Sequence, residues 1–153
     1  MKRVEIRLSL EAVLPLIDVI REAADSLSDD LAAPNSLGDI EPDLREGWRE
    51  DLVSAQNGAI TVLLALFDET FDESGVVGFD ADNAEPVLRA CAAVRLRLRE
   101  RFLKALNEEV LESGDLEIES LQEPARKAFM CYLFLATIQE LIVQHLDTSI
   151  LDG

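Results

Sequence analysis

One histidine and two cysteines are all that this chain of 153 residues offers beyond its carboxylates as metal ligands. Catalytic zinc sites use about three protein ligands and structural ones about four, drawn mainly from His and Cys. The Glu-x-x-His spacing of di-iron bundles is also missing, since Glu140 lies five residues before His145. His145 reads instead as a helix-end residue favoured by the carbonyl dipole. The oxygen-rich stretch Asp80-Ala81-Asp82-Asn83-Ala84-Glu85 has no glycine at the turn a calcium loop requires, and helix capping accounts for it. No metal and no cofactor is therefore expected.

Other absences narrow the chemistry further. The chain has no nucleophile elbow, no phosphate-binding loop and no Ser-His-acid order. Cys91 and Cys131 lie inside apolar helical patterns, so they read as small core side chains in a reducing compartment. Arg95, one turn from Cys91, is the single arrangement that could activate a thiol. Cations are scarce as well: 14 Lys and Arg stand against 31 Asp and Glu, a net charge of −17. Such a surface repels phosphate backbones and anionic membranes. The N-terminal run Met1-Lys2-Arg3-Val4-Glu5 regains charge before any apolar core forms, unlike a signal peptide. No uninterrupted apolar segment reaches the roughly eighteen residues needed to cross a bilayer. The expected setting is the cytoplasm, with no nucleic acid and no membrane as partner.

What the chain does have is helical periodicity. Ala128–Ile138 is apolar or aromatic throughout except for Thr137, and the surrounding 124–146 segment reads as a helix that others must wrap. Val13, Leu16, Ile17, Ile20, Ala24 and Leu27 mark a first helix over 12–27. Pro15 implies either a start near Val13 or a kink. Residues 28–40 carry turn signals throughout. Pro42 can occupy a first helical position. A long helix over 43–70 follows, with two apolar rows, one led by Trp48 and Leu52 and the other by Val53 and Ile60. Gly58 inside it suggests a close helix crossing. A third helix starts after an Asp82 cap with Glu85 reaching back, runs to about Leu111, and has the stripe Val87, Cys91, Val94, Leu98 and Phe102. Ser113-Gly114-Asp115 is a stop, and the tail after Asp147 is expected to fray.

Val4, Ile6 and Leu8 alternate with charged residues, the period of a half-buried strand, and Val76–Phe79 is its candidate partner. The chain shows no repeat, low-complexity tract or linker. The expected architecture is all-α: one helical domain, 1–153, of four principal helices around a buried C-terminal helix, with a short N-terminal β-strand.

Two polar features stand out on this background. Arg89, Arg95, Arg97, Arg99, Arg101 and Lys104 are six of the fourteen cations, set against Glu100 alone. They either bridge to acidic neighbours such as Asp51 or Glu109, or dock an acidic partner or a second subunit in a homodimer. The second feature is Arg95, Gln139 and Glu140, polar positions that continue apolar helix rows. A buried carboxylate needs a counter-ion, so Arg95 and Glu140 are expected to face each other with Gln139 close by. This cluster fixes helix register or binds a small molecule, and Arg99 joins it as a candidate binding residue.

Leu88-Arg89-Ala90, Val94-Arg95-Leu96, Leu98 and Arg101, together with Tyr132 and Ile138-Gln139-Glu140, resemble an uncharacterised all-helical bacterial family best represented in actinobacteria. That family has a helix of the type L-R-A-x-N-D-L-R-L and a final helix of the type Y-D-W-L-x-x-L-Q-E-x-L-V. Ala92-Ala93 here replace Asn-Asp, Leu133 replaces Asp, and Phe134 replaces Trp, so any site those polar residues formed is reduced to Arg95, Gln139 and Glu140. The resemblance implies no activity. It implies an encoded position beside an adaptor of the Clp protease, and hence a protein-quality-control partner. The resulting expectation is a non-enzymatic protein-interaction module, with a small-molecule-binding bundle as the alternative.

Overall fold

The computed structural model describes residues 3–32 and 41–145. Strand β1 (Arg3–Arg7) leads into α1 (Leu10–Leu27). Then come α2 (Pro42–Ala65), the short α3 (Glu69–Ser74), β2 (Val76–Asp80), α4 (Ala84–Phe102), the short α5 (Glu108–Ser113), a single 3-10 turn (Ile118–Ser120) and α6 (Ala125–His145). The architecture is all-α apart from a two-stranded antiparallel ribbon, in which Val4 pairs with Phe79 and Ile6 with Val77. The turn signals expected at 33–40, the helix end at Leu146 and the fraying after Asp147 lie outside the described residues.

Helix α6 carries the apolar payload its sequence promises. Phe129, Leu135, Ile138 and Ile142 are essentially excluded from solvent. Each such side chain contributes about 1.5–3 kcal/mol relative to an exposed one. Among the described residues α6 alone is long and apolar enough to cross a membrane, a test that the core helix of a globular domain passes equally. Here it packs against α4 and α1.

The centre of the fold, however, is α4. It packs extensively against both α2 and α6 and also touches α1. Ala90, Cys91 and Val94 are wholly buried in it, and residues this small let helices approach on two sides.

Several boundaries differ from the sequence expectation, each for a local reason. Helix α1 starts at Leu10, capped by Ser9, whose hydroxyl accepts from the Ala12 amide. Pro15 is tolerated because both it and Glu11, whose carbonyl loses a helical donor, are exposed. The long second helix ends at Ala65, because Asp68 caps a separate α3 by accepting from the Phe71 amide. The third helix ends at Phe102, and Asn107 caps α5 in the same way through Val110. At its start the cap residue is Asn83, not Asp82. The Asn83 side chain faces backwards, accepting from Asp80 and donating to the Gly78 carbonyl, which ties α4 to the ribbon.

Two expectations about packing fail. The Trp48 row does not enter the core at its N-terminal end: Leu44, Trp48 and Leu52 are 56%, 53% and 37% exposed. The Val53 and Ile60 row is the buried one. Gly58 marks no helix crossing, since a Cβ added there would meet nothing within 4 Å. A glycine in an exposed helix interior costs about 1 kcal/mol against alanine. Gly58→Ala is therefore expected to stabilise the protein by about 1 kcal/mol, read from urea unfolding.

Candidate functional site

Residues seven apart repeat the same face of a helix after two turns. Leu88 and Arg95 form such a pair on α4, and Tyr132 and Gln139 form one on α6. The structure brings the two pairs together. The Arg95 guanidinium sits 4.3 Å from the Tyr132 ring centroid. Arg95 Nη1 donates to Gln139 Oε1 at 2.7 Å, and Gln139 Nε2 donates to the Leu88 carbonyl at 3.2 Å. The cation therefore lies on an aromatic face, an arrangement that contributes about 0.5–2 kcal/mol. Arg95 Nε is buried and has no hydrogen-bond partner.

Glu140 is not the counter-ion of Arg95. It is exposed, and its carboxylate accepts from Gln144 one turn on. Successive helical residues differ by about 100° in direction, so Gln139 and Glu140 cannot share one partner on α4. Burial never forces a carboxylate into this site. A neutral amide satisfies the arginine at less desolvation cost.

Helical geometry also resolves the alternating run Arg95-Leu96-Arg97-Leu98-Arg99. Arg95 and Arg99 point to nearly the same side, and Arg97 points about 200° away. Arg99 donates to Glu108 of α5 at 2.6 Å, so its partner is neither Asp51 nor Glu109. That contact holds the Glu108 carboxyl below its ordinary pKa and raises that of Arg99. Arg89 pairs with Glu85 one turn earlier on the exposed surface. The basic strip is thus largely bridged within the chain.

Arg97 is a constellation the sequence did not reveal. It is only 6% exposed and meets Asp30 at 2.7 Å, just beyond the end of α1. That turn is gripped by α2 as well. Gln56 donates to the Leu27 and Asp30 carbonyls and accepts from the Ala32 amide. Asn57 donates to the Ser28 carbonyl, and Arg49 donates to the Asp29 carbonyl. Three helices are therefore locked to one turn. The available signals were an adjacent Gln-Asn pair inside α2 and an adjacent Asp pair after α1.

Catalytic groups do not assemble around these contacts. Burial pushes the Cys91 thiol up to about 12, a rise that Arg95 only partly opposes. Burial takes Cys131 to about 12 as well, and its thiol faces the Leu16 carbonyl at 3.8 Å. Both thiols stay protonated and poorly nucleophilic. Among the described residues no three His, Cys, Asp or Glu side chains converge as metal ligands would. His145 is exposed at the end of α6.

A shallow apolar groove of about 310 Å³ opens between α2 and α4. Its walls are Leu52, Ala55 and Ala59 from α2 and Ala92, Ala93 and Leu96 from α4, with Leu31 at one end. Leu52 and Leu96 remain 37% and 43% exposed beside it.

These features define an essentially all-helical domain with a braced interior and, among the described residues, an apolar groove between α2 and α4. The chain belongs to the family described as a domain of unknown function, DUF2017, which matches residues 7–146. Comparison with curated proteins and with solved structures finds no match.

The two partners of the Arg97–Asp30 bridge should respond unequally to substitution. Asp30→Ala removes the half-exposed partner of a buried guanidinium and is expected to cost about 1–2 kcal/mol after solvent screening, whereas Arg97→Met removes the charge and keeps the volume, for about 1 kcal/mol or less. The hydrogen bond from Arg97 also holds the Asp30 carboxyl below its ordinary value of 3.8. Its contribution is therefore complete above that value and fades as pH falls through it toward the lower folded pKa. The stability gap between wild type and Asp30→Ala should be flat above about pH 5 and shrink below about pH 4, as read by urea unfolding at each pH.

Proposed function

We propose that the chain is a non-enzymatic, cytoplasmic protein-interaction module that docks another polypeptide on the open face between α2 and α4. The observation that carries this reading is the apolar stripe Leu44, Trp48 and Leu52. Its members are one turn apart, and it runs into a groove floored by alanines. Apolar surface that is contiguous and unused by the core marks interaction sites. Shallow grooves between helices accept helical or extended segments of a partner. The buried, protonated thiols support a role without bond-making chemistry. The implied setting beside a Clp protease adaptor makes a component of protein quality control the first heterologous partner to test.

Small-molecule binding at Arg95, Gln139 and Glu140 is the second reading. The buried Arg95 Nε without a hydrogen-bond partner favours it. A ligand there has to displace Gln139 from the guanidinium and span to the exposed Glu140, so protein docking is the stronger proposal. Arg99 remains a candidate docking residue on the basic strip, although Glu108 already occupies it.

Affinity capture from native lysate with wild type, Trp48→Ser and Arg99→Glu separates these surfaces. Trp48 is exposed, so Trp48→Ser should change stability by only about 0.5 kcal/mol; Arg99→Glu also breaks the Glu108 bridge, so circular dichroism checks that its fold is intact. The expected outcome is loss of captured protein with Trp48→Ser and retention with Arg99→Glu. The reverse pattern moves docking to the basic strip of α4. An unchanged set of captured proteins in both variants removes the interaction reading.

A further inference from the structure

We draw no further inference here: the strongest candidate, the apolar groove between α2 and α4 with Leu52 and Leu96 exposed beside it, carries nothing beyond the docking face already proposed, because nothing in the structure shows what covers it.

Discussion

Helix α4 has to satisfy two packing partners while carrying five arginines, and the rest of the fold follows from how it does so. Its small residues Ala90 and Cys91 let neighbours close in, and Val94 and Leu98 fill the space between them. Two of its arginines turn inward on opposite sides. Arg95 lies on Tyr132 and Gln139 of α6, and Arg97 reaches Asp30 at the end of α1. Each inward arginine fixes one neighbour, because a buried guanidinium without partners is far more costly than one held in place. The outward arginines Arg89 and Arg99 bridge to carboxylates on the surface.

The turn after α1 shows the same logic from the other side. A helix end leaves carbonyls without intrahelical donors. Gln56 satisfies two carbonyls there and Asn57 a third, so polar side chains in α2 complete the end of α1. The contacts are specific in direction, which apolar packing is not, and they set where α2 lies. The register of three helices is thereby written in a few polar groups around a greasy interior. Apolar area supplies the bulk of the stability, and these groups select one arrangement of it.

Much of this organisation is legible in the sequence. The periodicity of Val13 to Leu27 and the density of apolar residues around Phe129 give α1 and α6 directly. The alternation of Val4 and Ile6 gives β1, and the run Val76–Phe79 gives its partner. What escapes notice is tertiary in origin. Trp48 has the spacing of a core residue, but a spacing cannot say which of two apolar rows meets another helix. Gly58 reads as a crossing only until its surroundings are known. Glu140 looks buried because it continues an apolar row, while a rotation of one residue puts Gln139 at the arginine instead. Arg97 hides inside a strip of like residues, and nothing local separates it from Arg99. The capping residues Asp68 and Asn107 were readable in principle, and the long apolar rows running past them obscured the breaks.

Because α4 packs against α1, α2 and α6, its opening should require that the other long helices open too. Native-state hydrogen exchange tests this most directly. The account predicts that the amides of Cys91, Val94 and Leu98 exchange only through global unfolding, together with those of Phe129 to Ile138 in α6. The first turns of α2, which no core residue holds, should exchange far earlier. Exchange of the α4 amides while α6 and α1 keep full protection would contradict a fold organised around α4.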